Sequence, residues 1–472
     1  MNHVDFLVTG ATGFTGSAVT ELLVSRGKKV RVLIRDASRS ASFLERGIEV
    51  VVGDLNNKEA MKRAVNGAST VLHIAALFRQ AGLPASEFYR VNVEGTRNLL
   101  DRAVEAGVEK VIHCSTVGVL GHIAHPPATE ETPFNPGDPY QQSKMEGEKL
   151  FLEYVQSGKI KGTVIRPAMI YGPGDTRTLK IFKPIAEGKF FYVGPGDALV
   201  HFIDVRDLAE SFLLAAERSD VNGEVFIIAG ETALPLKDLV GIISELMGTS
   251  EPWLHLPVKP MQVLGSLCEA ICTPLKIQPP IFRRRVDFFT KDRSFDVSKA
   301  KERLGFKPTR PLAQELSEII ESYVNAGIID LSRKKRPSVM VRAICGKIHA
   351  WEGSARALYG WSKGEALGTT SHSLLKTQFP MELAAINKTL METGRWQGVL
   401  LHRDHRGQPV KVMSRWKLLR LPSNRDPLIL ESNTLLQESM SGGSLMAIAS
   451  SVFIHSPVCN LESLALLPLA PL

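Results

Sequence analysis

From residue 4 to about residue 230, short runs rich in β-branched residues alternate with longer stretches of helical spacing. The runs "VDFLVTG", "KVRVLIR", "IEVVVGD", "STVLHIAA", "EKVIHCST" and "GTVIRPAMIYG" predict strands buried on both faces. Between them, 15–26, 57–66, 86–106 and 141–156 predict helices. That rhythm predicts an α/β fold, a doubly wound parallel sheet with helices on both sides, and places ligands beyond the carboxyl ends of the strands. Residues 231–330 are less regular, with Pro-rich turns, an apolar helical stretch "MQVLGSLCEAICT" and a closing helix around "LAQELSEIIESYV". They read as a small cap portion completing a first unit over 1–330. The charged, Pro-containing 331–338 reads as a linker. Short alternating strands, glycine turns and two brief helices over 339–437 predict a separate α+β domain. Residues 438–472, Ser/Gly-rich and then Leu/Ala/Pro-rich, carry no period and are expected to form a loosely ordered tail.

Composition narrows the function classes. At 472 residues, 44% hydrophobic and 22% charged, the chain has ample material for a globular core. The net charge of +8 gathers in "RRR" at 283–285 and "RKKR" at 333–336, without the interleaved aromatics of a nucleic-acid groove, so no nucleic acid is expected. Cys114, Cys268, Cys272, Cys345 and Cys459 have no metal-ligand spacing, which implies no metal and a reducing, cytoplasmic setting. The start "MNHVDFLVTG" enters a strand at once, with no room for a signal peptide, and no run reaches the roughly 18 apolar residues of a membrane span. The expected partners are a small-molecule substrate and a second copy in a homodimer.

Candidate chemistry begins at "FLVTGATGFTG", where Gly10, Gly13 and Gly16 follow a buried strand and open a helix, with Thr12 and Phe14 between them. Glycines let the backbone approach a pyrophosphate held by helix N-terminal amides, so this turn predicts dinucleotide binding. A ribose-binding acid would stand at the end of the second strand; Ile34 is there instead, followed by Arg35. A guanidinium suits a 2′-phosphate, so NADP is favoured, with NAD the alternative if Asp36 holds the ribose hydroxyls. Asp54 and Leu55, ending the third strand, are placed for the adenine, although Asp54 also suits a turn cap.

The glycine turn, "GDL", "HIAA", "VNVEGTRNLL", "HCSTVGVLG", "YQQSK" and "RPAMIYGPGD", in that order, resemble the extended short-chain dehydrogenase/reductases, the NAD(P)-dependent epimerase/dehydratase superfamily. With "HFIDVRDLAE" and "RSFDVSKAKERLGFKP" the likeness covers about 1–325, nearest the 3β-hydroxysteroid-dehydrogenase-like and dihydroflavonol-reductase-like branches. It implies a Rossmann-type sheet, a catalytic Thr116, Tyr140 and Lys144, and cofactor contacts from Ala75, Asn92, Ser115, Tyr140, Lys144 and Pro167. Tyr140 and Lys144 are one helical turn apart and share a face. A phenol active near neutrality needs its pKa lowered by about 3 units, or ~4 kcal/mol. An ammonium at ~5 Å in an effective dielectric of ~20 contributes roughly 3 kcal/mol. Lys144 together with an oxidised nicotinamide is therefore expected to acidify Tyr140.

Thr116 is followed by "VGVLG", without the Asp-Glu pair of the superfamily's sugar-nucleotide dehydratases. That leaves alcohol/ketone oxidoreduction as the expected activity, NAD-dependent nucleotide-sugar epimerisation as the alternative, and a non-catalytic NADP(H)-binding redox sensor as the reading from another class. His73 and His113 lie inside strands and are expected to be satisfied core residues. Arg283–Arg285 suit either a solvated turn or a substrate phosphate, and the apolar 253–282 either a greasy pocket or a packing face. Finally, "HAWEGSARALYGWSKGEALG" and "GRWQGVLLHRDHRGQPVKVMSRWKLLRLPSNRDPLILESN" resemble a PAS domain of the sensor-kinase type, which implies sensing or pairing. No flavin-binding motif is visible, His372 reads as a surface or capping residue, and the PAS ligand stays open.

Overall fold

The computed structural model describes residues 3–80, 82–272, 283–332, 334, 336–419 and 426–436. All six expected strands form: β1 (Val4–Thr9), β2 (Val30–Ile34), β3 (Glu49–Val52), β4 (Ala68–His73), β5 (Lys110–Cys114) and β6 (Lys161–Pro167). A seventh, β7 (Val225–Ile228), completes a parallel sheet of order β7-β6-β5-β4-β1-β2-β3. The run "GTVIRPAMIYG" does not stay in one strand. After Pro167, Met169–Tyr171 pairs with Phe202–Asp204 outside the main sheet. Each face of the sheet carries its own apolar core, one around Val8, Val32 and Ile112 and the other around Leu7, Val71 and Val111. This is the period-2 alternation of a strand covered on both sides.

Strand order reverses direction at β1, whose neighbours are β2 and β4, and this opens a crevice at the carboxyl ends of β1 and β4. The helix following β1, α1 (Phe14–Ser25), buries Thr15, Gly16, Val19, Thr20 and Leu23 at helical spacing. Two further helices frame the crevice: α2 (Gly95–Glu105), entered through a π-helical turn at Arg90–Glu94, and α3 (Pro139–Gln156).

The expected charged linker and separate module meet a different arrangement. Leu331 and Ser338 are buried, and Arg336 pairs with Glu321 at 2.8 Å. The chain then enters an antiparallel sheet of β8 (Ser338–Ala343), β9 (Ile348–Gly353), β10 (Arg395–Arg403), β11 (Pro409–Leu419) and β12 (Leu428–Leu435), ordered β9-β8-β12-β11-β10. Alternate residues point opposite ways. Met340, Trp351, Leu418 and Ile429 pack under the module's own helices, whereas Val339, Val341, Ala350, Leu419 and Leu430 share a core with α4 (Leu236–Met247) and α5 (Leu312–Asn325) of the first unit. Lys417 reaches Glu251 at 3.1 Å and Arg395 reaches it at 2.7 Å, adding charge contacts at the same seam. A sheet apolar on both faces is not an autonomous layer, and composition alone does not reveal which second face is covered.

The hairpin of "HRDHRGQPV" forms as expected, with Gly407 at φ +80° and Asp404 accepting from the amides of Arg406 and Gln408. His372 is half-buried rather than a surface residue; its ring lies 6.2 Å from that of Trp416, and burial brings its pKa down to about 4. The tail 438–472, residues 273–282 and the side chains of Arg283–Arg285 lie outside the described residues, so the expectations placed on them stay open. Among the described residues no helix is long and apolar enough to cross a membrane, and no group of three or more His, Cys, Asp and Glu side chains is placed to hold a metal ion.

Candidate active site

The glycine turn folds for steric reasons that the coordinates make explicit. Gly10 has φ +79°, and a Cβ there would lie 2.8 Å from the Ala75 nitrogen, so the loops after β1 and β4 touch backbone to backbone. A Cβ on Gly16 would stand 2.1 Å from the Gly10 carbonyl oxygen, while one on Gly13 would keep 3.3 Å. Gly13 caps α1 without any side-chain hydrogen bond, so the amides of the first turn have no local side-chain acceptor. This cradle fits the pyrophosphate of a dinucleotide. Phe14 lies under the Arg177 guanidinium, 5.0 Å from ring centroid to Cζ, and Thr12 is exposed.

At the end of β2, Ile34 is buried and Arg35 is exposed. The Asp36 carboxylate accepts from the Ser38 amide at 2.9 Å and hydroxyl at 2.7 Å, which holds its pKa below the usual range. It is thus committed to its own turn. Arg39, which the sequence did not single out, reaches from that turn to the Thr12 carbonyl at 3.3 Å. Asp54 caps its turn through the Asn56 amide at 2.8 Å, and Leu55 packs inward beneath Gly95.

Two secondary structures carry the candidate residues Ser115, Thr116, Tyr140 and Lys144. Strand β5 ends at Cys114, which puts Ser115 and Thr116 at the crevice. The Thr116 hydroxyl oxygen accepts from the Gly118 amide at 3.0 Å, and the buried Ser115 Oγ has no hydrogen-bond partner. Helix α3 starts where Asp138 caps the Gln141 amide at 2.8 Å and Pro139 occupies the first turn. Its buried stripe contains Tyr140, Ser143, Lys144, Gly147, Glu148 and Phe151. A helix that buries a phenol, a hydroxyl, an ammonium and a carboxylate on one face has sacrificed apolar contact for chemistry.

Several of the buried polar groups are tied down. Lys144 Nζ donates to the Cys114 carbonyl at 2.6 Å, which fastens the helix to the end of β5, and burial lowers its pKa. Glu148 pairs with Arg166 at 2.5 Å, adjacent to Pro167 at the end of β6. Asn92, on the π-helical turn, accepts from the Leu77 amide at 2.7 Å and donates to the Leu77 carbonyl and the Ser143 hydroxyl. It braces the loop after β4 against the tyrosine helix. A Cβ at Gly147 would come within 2.5 Å of the Asn92 carbonyl, so that glycine sets the approach. His73 is satisfied by Thr9 at 2.9 Å and Thr96 at 3.0 Å, with burial pushing its pKa down to about 3. His113 differs from expectation: it is buried, stacked on Phe151, and neither ring nitrogen has a partner.

The electrostatics of Tyr140 bring in groups that the sequence argument did not name. Burial raises the phenol well above its ordinary range, and the cations that oppose this are Arg79 first and Arg177 second. Lys144 meanwhile donates to the neutral Cys114 carbonyl, which leaves its charge in place. Arg79 lies in the loop after β4, in "LFRQAG", where no periodicity or motif flagged it. The Asp138-Pro139 helix start was a legible signal that went unused.

Comparison with known proteins agrees with this geometry. The family model described as "NAD dependent epimerase/dehydratase family" matches residues 6–229. Sterol demethylase protein B of Methylococcus capsulatus is 31% identical over 318 residues, covering 64% of this chain and 93% of that protein. An Escherichia coli 4-epimerase of N-acetyl-α-D-glucosaminyl-diphospho-undecaprenol is 28% identical, covering 69% and 97%. Among solved structures, that of gox2253 superposes with a TM-score of 0.60 at 32% identity, over 70% of this chain and all of that one. MoeE5 with UDP-glucose and NAD gives 0.54 at 26% identity, over 68% and 99%. With its parallel sheet, glycine cradle and Tyr140–Lys144 helix, the chain belongs to the NAD dependent epimerase/dehydratase family.

Proposed function

We propose that the protein is an NAD(P)-dependent oxidoreductase that interconverts a secondary alcohol and a ketone on a largely apolar skeleton. The observation that carries this reading is the convergence of Ser115, Thr116, Tyr140 and Lys144 beside the Gly10–Gly16 cradle at the carboxyl end of the sheet. A nicotinamide cofactor is supported by the NAD in the titles of related structures. The substrate class is supported by relatives named as a 3β-hydroxysteroid-dehydrogenase/decarboxylase in Arabidopsis thaliana and a farnesyl-quinoline-oxide ketoreductase in Stigmatella aurantiaca.

In this reading the amides of α1 and the glycine turn hold the pyrophosphate, and Asn92 steadies the loop under the nicotinamide half. Arg35, exposed at the end of β2 while Asp36 is engaged elsewhere, favours NADP. When bound, the dinucleotide gives or takes the hydride. Thr116 and Ser115 hold the substrate oxygen by hydrogen bonds. Tyr140 donates its proton to that oxygen during ketone reduction and withdraws it during alcohol oxidation. Lys144 anchors the helix to β5 through the Cys114 carbonyl, and its remaining N–H groups would hold the cofactor ribose. Phe78, edge-on to Tyr140 at 5.1 Å, shields the phenol from water.

The antiparallel unit over 339–437 is read as a PAS-like module, supported by its strand–strand–helices–three-strand succession and its Trp/Gly turns. Its packing on α4 and α5 supports a regulatory or stabilising duty. The test is oxidation of NADPH and NADH over a panel of 3-oxosteroids and cyclic terpenoid ketones. Activity that falls about 100-fold or more in Tyr140→Phe, with nucleotide affinity kept, supports the assignment. Full activity in Tyr140→Phe rejects it. Nicotinamide that survives dialysis, with turnover of a nucleotide sugar instead, would establish the epimerase alternative.

A further inference from the structure

We infer that Arg79 is a positioning residue that clamps Tyr140 and helps to keep its phenolate accessible. The Arg79 guanidinium carbon lies 4.9 Å from the centroid of the Tyr140 ring and 5.9 Å from that of Phe78. Its Nε donates to Asp138 Oδ2 at 2.9 Å, with both side chains about three-quarters buried. The other oxygen of the same carboxylate caps the Gln141 amide at the start of α3. Asp138 therefore locks the cation to the helix that carries Tyr140, so the guanidinium and the aromatic ring move as one piece. Phe78 closes the arrangement edge-on at 5.1 Å.

A cation over an aromatic face attracts the neutral ring and attracts its anion more strongly, because the anion carries a full charge. At ~5 Å in an effective dielectric of ~20 the attraction corresponds to about two pH units, and screening by water at the partly exposed guanidinium brings it to about one. The groups acting on this phenol come from every side: Arg79 from the loop after β4, Arg177 from the loop after Met169–Tyr171, Cys114 from the end of β5, and Asp138 from its own helix start. Arg79 and Arg177 favour the phenolate; Cys114 and Asp138 oppose it. Lys144, one turn along the helix, donates one N–H to the neutral Cys114 carbonyl, a bond that does not cancel its charge. Arg79 is the cation held directly over the ring. Asp138 acts twice, fixing Arg79 in place while partly offsetting its charge.

The inference rests on Tyr140 being the proton carrier, and its test does not need the natural substrate. The full-length protein, saturated with NAD⁺ or NADP⁺, is titrated by tyrosinate absorbance. The Tyr140 step is isolated by subtracting Tyr140→Phe. Arg79→Gln moves the wild-type step up by about one unit, a tenfold loss of phenolate at any lower pH. Arg79→Lys keeps the charge and holds the midpoint near the wild type, while Arg79→Glu moves it further than Arg79→Gln. Arg79→Met is the second neutral variant if Arg79→Gln fails to fold. Nucleotide affinity is expected to be unchanged throughout. A midpoint that ignores the charge at position 79, or a wild type without the step, overturns the inference. Ketone reduction by Tyr140→Phe separates the two levels. If that variant is dead while the midpoint is insensitive to Arg79, only the present inference fails; if it retains turnover, the reading of the site fails.

Discussion

Replacing Gly16 by alanine tests the glycine cradle with a magnitude set by the coordinates. The new Cβ would sit 2.1 Å from the Gly10 oxygen and 2.6 Å from its carbonyl carbon, both backbone atoms that no rotamer change can move. Ordinary contact begins near 3.4 Å, so α1 and the loop must separate by about 1.3 Å, the difference between 3.4 and 2.1. A shift of that size takes one or two amides out of reach of a pyrophosphate. Each hydrogen bond to a charged group contributes about 1.5–3 kcal/mol. The expected loss is about 3 kcal/mol, roughly 100-fold in Kd. Gly13→Ala, whose Cβ would keep 3.3 Å to the same oxygen, is the internal control and is expected to lose less than about tenfold. Titration calorimetry with NADH and NADPH measures both variants, alongside thermal melts, which should fall by only a few degrees for an overpacking cost of 1–3 kcal/mol. If Gly16→Ala binds nucleotide within about threefold of the wild type, the steric reasoning is refuted.

Three further outcomes follow from other parts of the molecule. Replacing Arg35 and Arg39 together by alanine should weaken NADPH at least about tenfold while leaving NADH nearly unchanged, as seen by fluorescence titration; an unaltered preference removes both from 2′-phosphate recognition. Leu430→Ala, at a fully buried position in the core shared by the two units, should cost about 2–5 kcal/mol and lower one cooperative melting transition of the whole protein. Two independent transitions, with only one displaced, would contradict the shared core. Glu315, buried against Tyr171 and near Asp204 and Asp207, has its pKa pushed up to about 8, chiefly by burial. Because the unfolded chain releases this proton near pH 4.5 and the folded one near 8, the stabilisation is full below about pH 4.5 and is lost as pH rises to about 8. In Glu315→Gln the decline of melting temperature across that window should flatten, and an unchanged slope would place the titration elsewhere.

Much of the first unit was legible because a parallel sheet covered on both faces writes continuous apolar runs, and because glycine and Tyr-x-x-x-Lys signals act locally. Gly10 and Gly16 are needed for contacts that the coordinates reproduce, and Tyr140 and Lys144 share one buried stripe. What stayed hidden depended on loops and on second faces. Arg79 reaches Tyr140 only because the chain after β4 folds back over α3, and no spacing encodes that. Lys144, expected to acidify Tyr140, also ties α3 to the end of β5 through the Cys114 carbonyl, a contact that no spacing reveals. Asp36 and Asp54 proved to be turn caps, an outcome their position at strand ends permits equally well. The sheet over 339–437 looked separate because the alternation of Val339, Met340 and Val341 shows two apolar faces without saying what covers the second.

The most direct test of the account is a crystal structure of the protein with NADP⁺ bound. The account predicts the Tyr140 hydroxyl and a hydroxyl of Ser115 or Thr116 converging on one point about 3–3.5 Å from C4 of the nicotinamide ring, with Arg79 still over the phenol. A nicotinamide bound elsewhere, or a Tyr140 hydroxyl turned away from C4, contradicts it.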